Sequence, residues 1–265
     1  MDYHLPSKLE EILLAYQVYY RNIFYLLLDT KSAEATLRDQ LSATLGIGAD
    51  CMEELSRMEQ EKVSPLFGEY GYRFLGGKTG AYYGPYIWRY DEMKCYAVAL
   101  PTGTENYTVK LLDDFVSKSW MDYLSFGKIG TGGWTDGDGY INCVRSAWDL
   151  GSEAFLISLL KHEAQHVQDL RLDPNMPSED LEYRAKLVEL IYSQKRDLLP
   201  RFLEEADCKE TANGHGAAAC KIVRGISELL KIDETDIGSL SRKLVQEAAG
   251  ELFAQSCELL LQKRS

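Results

Sequence analysis

Apolar residues recur every three or four positions through the first part of the chain, and this spacing predicts helices. The series from Leu9 to Leu27 follows the i, i+3, i+4, i+7 pattern and predicts an amphipathic helix over residues 8–29. A second helix is predicted over 33–45, where Gly46 ends it, and a third over 50–62. The chain is therefore expected to begin with a helical region.

Between residues 67 and 145 the pattern changes to short runs of β-branched and aromatic residues separated by glycines. Such runs are typical of strands, because branched and aromatic side chains pack well on a pleated surface. Four runs predict the strands of one small sheet: residues 86–90, 95–100, 107–112 and 140–144.

Helical spacing returns at residue 152. Four helices are predicted, over 152–172, from 178 to just before Pro200, over 216–231 and over 239–262. Helices, then strands, then helices indicate an α+β protein, with a small mixed sheet flanked by helices at both ends. We expect an N-terminal helical region, 1–65, and a second domain, 66–265, or one continuous domain over 1–265.

The charge balance excludes several kinds of partner. Among 265 residues there are 29 Lys and Arg against 41 Asp and Glu, a formal net charge of −12. A chain this acidic repels nucleic acids and anionic lipids. The apolar stretch 12–28 is interrupted by Gln17, Arg21 and Asn22, so no membrane insertion is expected. The chain is predicted to be soluble, in the cytoplasm or, if a signal peptide has been removed, outside it.

The six cysteines are dispersed along the chain and form no C-x-x-C pair, which argues against a zinc ribbon or a redox motif. Six is an even number, which permits disulfides, but a domain of this size does not need them to stabilise its core, so separate buried thiols are expected. The cysteines are Cys51, Cys95, Cys143, Cys208, Cys220 and Cys257.

The pentapeptide His162-Glu163-Ala164-Gln165-His166 lies inside the predicted helix 152–172. Residues four apart face the same side of a helix, so the two imidazoles can converge on one metal ion. Zn²⁺ suits such a site because neutral imidazole is a good zinc ligand. Glu163 points about 100° away from His162, so it is expected to activate a water at the metal rather than to bind the metal.

With the helix that follows it, this motif resembles the zincin metallopeptidases, and among them the gluzincins, whose third zinc ligand is a downstream glutamate. The resemblance covers residues 151–185 and implies a zincin-like fold, a zinc cofactor, and Glu182 of Leu181-Glu182-Tyr183 as the third ligand. The metzincin type is rejected, because the glycine and third histidine of that type do not follow His166.

Three other carboxylates remain open as ligands: Asp169, Glu179 and Glu189. Asp169 lies on the same helix and face as the histidines, where it is better placed to orient an imidazole than to complete a tetrahedron. Glu189 follows Glu182 by one heptad and lies on the same side of its helix.

The resemblance also implies a group that stabilises an oxyanion and a strand that binds an extended substrate. His215, in Asn213-Gly214-His215-Gly216, is the first candidate for the oxyanion, with Tyr140 and Tyr183 behind it. The strand over 139–145 would be the substrate-binding edge strand, with an interior strand as the alternative.

The sequence thus predicts a zinc-dependent hydrolase, specifically a metallopeptidase acting on a peptide or protein substrate. His162, His166 and Glu182 would hold the zinc, and Glu163 would activate water. Two alternatives remain: a zinc-containing binding or regulatory domain without turnover, and a purely structural protein in which the pentapeptide is accidental. The sequence predicts neither cleavage specificity nor oligomeric state.

Overall fold

The fold is α+β, as predicted: along the chain, one group of helices precedes a five-stranded sheet and a second group follows it. The computed structural model describes the following residues: 5–48, 54–135, 138–195, 197–209 and 214–263.

The first group of helices comes before the sheet. Helix α1 spans Ser7–Phe24 and α2 spans Thr30–Leu45. Helix α1 ends at Phe24, earlier than predicted. Asp29, the predicted end of this helix, caps α2 instead, because its carboxylate accepts a hydrogen bond from the backbone N–H of Ser32 at 3.0 Å.

The third predicted helix is longer than expected. Helix α3, Leu55–Met58, continues through a π-helical turn, Glu59–Val63, into α4, Ser64–Glu69. Residues 50–53, where the sequence predicts its start, lie outside the described residues.

The strands extend further than the sequence predicts. The predicted runs 86–90 and 95–100 belong to a single strand, β4, and 107–112 lies within the long strand β5. The strands are β1 Arg73–Leu75, β2 Lys78–Thr79, β3 Tyr82–Tyr83, β4 Tyr86–Leu100, β5 Gly103–Lys118, β6 Gly133–Thr135 and β7 Ile141–Val144. A short helix, α5, Ser119–Leu124, follows β5.

The main sheet has the strand order β1-β4-β5-β7-β6, and β2 pairs with β3 in a separate two-stranded sheet. Strand β1 is antiparallel to β4, with Phe74 opposite Ile87. Strand β6 is antiparallel to β7, with Trp134 opposite Asn142.

The second group of helices begins with a π-helical turn, Phe155–Lys161, that leads directly into α6, His162–Leu172. Ser152 caps it as expected, since its hydroxyl accepts from the backbone N–H of Phe155 at 3.1 Å. The remaining helices are α7 Ser178–Tyr192, α8 Leu198–Glu205, α9 Gly214–Leu230 and α10 Arg242–Lys263.

The prediction of one helix from residue 178 to Pro200 is wrong, because the helix stops at Tyr192 and α8 begins at Leu198. Pro200 lies in the first turn of α8. A proline is tolerated there because backbone N–H groups in the first turn have no partner within the helix.

The chain forms two compact units. The first consists of residues 1–92 and 112–131, and the second of 93–111 and 132–265, so β4 and β5 contribute to both. The first unit therefore includes more of the chain than the N-terminal region predicted over 1–65. The division into a region over 1–65 and a domain over 66–265 stays a prediction.

Each unit has its own core. In the first, the apolar faces of α1 and α2 pack with Met58 and Phe67. In the second, Ile141 and Cys143 of β7 pack with the apolar residues of α6, α7, α9 and α10. Among the described helices, none has a stretch long and apolar enough to span a membrane.

The expectation of separate thiols is wrong for two cysteines, because Cys208 and Cys220 form a disulfide bond. The segment after α8 returns along the start of α9, where the backbone N–H of Asp207 donates to the carbonyl of Gly216 at 3.1 Å, and this brings the two cysteines together. Cys143 is buried and Cys95 is exposed. Cys51 lies outside the described residues.

Candidate metal centre

Helix α6 is polar in sequence yet buried in the second unit. Its first five residues, the pentapeptide 162–166, are all buried, as is Asp169. Burying polar groups is costly unless they have partners, so a buried polar helix marks a place where partners or ligands are concentrated. The residues around α6 are therefore the candidate site.

The two histidines lie side by side at the start of α6. The ring centroids of His162 and His166 are 4.6 Å apart, with the ring planes at 87°. The i, i+4 spacing places both rings on one face of the helix, as expected. Each histidine is only 8% exposed.

Helix α7 brings Glu182 to the two histidines. One carboxylate oxygen, Oε2, lies 3.4 Å from Nε2 of His162, and the other, Oε1, lies 3.4 Å from Nε2 of His166. One ligand atom from each of the three residues can be chosen so that all lie within 4.8 Å of one another. The cluster His162, His166 and Glu182 could therefore hold a metal ion.

The donor atoms of this cluster fit zinc, for which two imidazoles and one glutamate form a known catalytic ligand set. Oε2 of Glu182 is buried and lies 3.4 Å from Nε2 of His162 and 2.9 Å from Nδ1 of His215, at angles too poor for a hydrogen bond. A buried carboxylate oxygen without a hydrogen bond is unfavourable unless a cation neutralises it.

The electrostatics of the cluster favour a positive charge at this position. Burial lowers the pKa of His162, but the carboxylates of Glu182 and Glu189 more than compensate and raise it to about 10. Burial raises the pKa of Glu182, but the surrounding histidines lower it far below its usual range. The arrangement that stabilises a protonated imidazole also favours a bound cation.

Glu189 orients His162. Its Oε1 lies 2.8 Å from Nδ1 of His162, and the carboxylate is buried. Because Nδ1 is occupied by this hydrogen bond, Nε2 is left to face Glu182. Among the described residues, Nδ1 of His166 is buried without a hydrogen-bond partner. Glu189 thus contacts the three-residue cluster from outside it.

The expectation that Asp169 orients an imidazole is wrong. Its carboxylate accepts hydrogen bonds from Nε of Arg184 at 2.9 Å and from the side-chain amide of Gln165 at 2.9 Å. Arg184 is fifteen positions away, and a contact across two helices has no short-range sequence pattern that would have revealed it.

Glu163 is not one of the three residues of the cluster, as expected for a residue that is not a ligand. Its Oε2 accepts a hydrogen bond from the Thr135 hydroxyl at 2.8 Å, and the same hydroxyl lies 3.2 Å from the Glu163 carbonyl oxygen. Thr135 belongs to β6, against which α6 packs. Sequence reasoning missed Thr135, which lies 28 positions before Glu163.

The remaining carboxylate candidate, Glu179, lies outside the cluster. It lines a separate cavity of about 430 Å³ together with Tyr183 and Lys221. It therefore does not compete with Glu182 in the arrangement that the structure shows.

Of the three residues proposed to stabilise an oxyanion, His215 reaches the cluster. Its Nδ1 lies 2.9 Å from Oε2 of Glu182, and its side chain is 55% exposed. The ring of Tyr183 packs against the Lys221 ammonium group at 4.5 Å, and that of Tyr140 against Lys110 at 4.1 Å.

The strand predicted to form the substrate-binding edge does not lie at an edge. Strand β7 lies between β5 and β6, which makes β6 the edge strand on this side. The run 140–144 is apolar enough to be buried on both faces, and all four residues of β7 are buried. The alternative of an interior strand is confirmed.

Comparison of the chain with models of known families, with curated proteins and with solved structures gave no match. The function of the chain is therefore inferred from the geometry of its site.

Proposed function

We propose that the chain is a zinc-dependent hydrolase, specifically a metallopeptidase of the gluzincin type with a zincin-like arrangement of α6, α7 and the sheet. The observation that carries the proposal is the convergence of His162, His166 and Glu182 from two helices. Glu182 would be the third ligand that the motif in α6 requires. It comes from a separate helix, α7, as a converging ligand must.

Zinc bound by these side chains would polarise a substrate carbonyl and lower the pKa of a water molecule. Glu163 is the base of the proposal. It follows His162 in the chain, the residue is 8% exposed, and Thr135 fixes one of its carboxylate oxygens. A carboxylate held in this way can take a proton from an attacking water and return it to the leaving amine.

His215 completes the proposed set of residues. It is the most exposed of the side chains around Glu182, so a bound substrate can reach it. An imidazole N–H there can donate a hydrogen bond to the oxygen that becomes negative when a peptide carbonyl is attacked. The substrate class follows from this chemistry: a peptide or protein, whose amide carbonyl needs both polarisation and an oxyanion partner.

The experiment compares the wild type with Glu163→Gln for zinc content and for cleavage of a mixed peptide library followed by mass spectrometry. The variant is expected to keep about one zinc per chain and to lose turnover by a factor of roughly 10²–10⁴, since it lacks the base.

Glu179→Gln is the matched control. It makes the same chemical change on α7, outside the cluster, and should cleave as the wild type does. Stoichiometric zinc with no cleavage by the wild type would instead support a zinc-containing binding domain. A wild type that binds no zinc would overturn the proposal and leave the pentapeptide without a function.

A further inference from the structure

A buried ion pair lies beside the proposed metal ligands. Asp169 is three residues after His166 on α6, and Arg184 is two residues after Glu182 on α7. Nε of Arg184 donates to both carboxylate oxygens of Asp169, at 2.9 Å each. The side chains of Arg184 and Asp169 are 3% and 0% exposed.

Arg184 also joins these two helices to α10. Its Nη1 donates to the hydroxyl of Ser256 at 2.5 Å and lies 3.5 Å from Sγ of Cys257. Its guanidinium carbon lies 4.5 Å from the centre of the Phe253 ring. The charge that pairs with Asp169 is thus held in place by the C-terminal helix.

The ion pair is one of three polar contacts that join α6 to α7. Glu189 meets His162, Glu182 meets both histidines, and Arg184, which lies between these two glutamates on α7, meets Asp169. A buried charge without its partner is strongly unfavourable, so the pair restricts how α6 and α7 can shift along each other.

We propose that Arg184 and Asp169 are positioning residues that hold Glu182 against the two histidines before the metal binds, and that α10 supports them through Ser256 and Phe253. The proposal rests on the metal site of the proposed function. It assigns to the C-terminal helix an influence on metal affinity, although α10 contributes no ligand to the cluster.

Lys186 provides a matched control on the same helix. It is a buried cation, 4% exposed, its Nζ donates to Glu205 at 2.7 Å, and it packs on the Phe202 ring at 4.4 Å. Its hydrogen-bond and ring partners lie on α8, which carries none of the cluster residues, and its charge acts on Glu189 only through space. If buried cations on α7 only stabilised the fold, replacing Arg184 and replacing Lys186 would therefore change the zinc affinity alike.

The experiment measures the Zn²⁺ dissociation constant by chelator competition, the absorption spectrum of the Co²⁺ form, and the unfolding temperature of the metal-free protein. Arg184→Met is expected to weaken zinc binding about 10-fold or more and to alter the Co²⁺ spectrum. Lys186→Met is expected to lower the unfolding temperature while leaving the zinc affinity within about 2-fold of the wild type. Equal changes in zinc affinity for the two variants would overturn the proposal.

A second variant is needed because Arg184→Met leaves Asp169 buried without its cation and risks misfolding. The double variant Asp169→Asn with Arg184→Gln removes both charges, and its metal-free form is expected to regain stability while its zinc affinity stays low. If zinc affinity returns together with stability, the pair is only structural and the proposal is wrong.

The outcomes separate this proposal from the proposed function. Zinc binding that depends on Arg184 in a protein that cleaves no peptide would support the positioning role and overturn the peptidase. Peptide cleavage by a wild type whose zinc affinity is unaffected by Arg184→Met would do the opposite. Absence of zinc binding in the wild type would overturn both.

Discussion

Glu182 and Glu189 contact the same imidazole from opposite sides, and their tasks differ for that reason. Glu182 faces Nε2 of both histidines, whereas Glu189 is hydrogen-bonded to Nδ1 of His162 alone. A residue that accepts from Nδ1 fixes the orientation of the ring and increases its basicity as a ligand, but it does not touch the metal.

Replacing Glu182 and replacing Glu189 should therefore have different effects on zinc binding. Glu182→Ala removes a ligand and is expected to leave no stoichiometric zinc after purification. Glu189→Ala removes only an orienting group and is expected to weaken zinc binding about 10–100-fold while still allowing saturation. Metal analysis with a chelator-competition titration distinguishes the two, and loss of zinc in Glu189→Ala alone would show that Glu182 is not the ligand.

At the residue scale, the sequence predicts those residues of the site that lie close together in the chain. His162, Glu163 and His166 are fixed by helical spacing, and Glu182 by resemblance to gluzincins. Thr135 and Arg184 could not be predicted, because each reaches the site from another element and their residue types occur on many surfaces.

At the scale of elements, α9 approaches α7 closely at the point where His215 enters the site. A methyl group on Gly214 would lie 2.5 Å from the hydroxyl oxygen of Ser178 and 3.3 Å from its Cβ. Glycine therefore lets the start of α9 approach the start of α7, and this approach brings His215 to Glu182.

Gly214→Ala is expected to lower the free energy of unfolding by about 1–3 kcal/mol, because the added methyl crowds Ser178. Gly250→Ala, on α10, is the control, since nothing lies within 4 Å of the added methyl there. It should raise stability by about 0.5–1 kcal/mol, as alanine favours a helix over glycine. Urea unfolding measures the free energy of unfolding of both variants. Equal changes would show that α7 and α9 leave room for a methyl group at Gly214.

Elements were predicted well where local signals were strong and less well at their ends. Ser152 caps its helix as expected, but Asp29 caps α2 instead of ending α1. The strand order could not be predicted, since the interior position of β7 depends on its pairing with β6, a three-residue strand with little signal of its own.

At the scale of the whole molecule, the proposed metal ligands all lie in the unit formed by residues 93–111 and 132–265. Zinc that binds only the folded form should stabilise the protein, by about 2.7 kcal/mol when free zinc exceeds the dissociation constant 100-fold. The unfolding temperature of the wild type and of Glu163→Gln should therefore rise with zinc, and that of His166→Ala should not. An equal rise in His166→Ala would place the metal elsewhere.

The central claim is that one zinc ion is held by His162, His166 and Glu182, and the most direct test is a crystal structure of the zinc-loaded protein with anomalous data at the zinc edge. The account predicts one strong peak about 2.0–2.2 Å from Nε2 of each histidine and from a carboxylate oxygen of Glu182. An absence of any peak between these side chains, or a peak coordinated by Glu189 in place of Glu182, would contradict it.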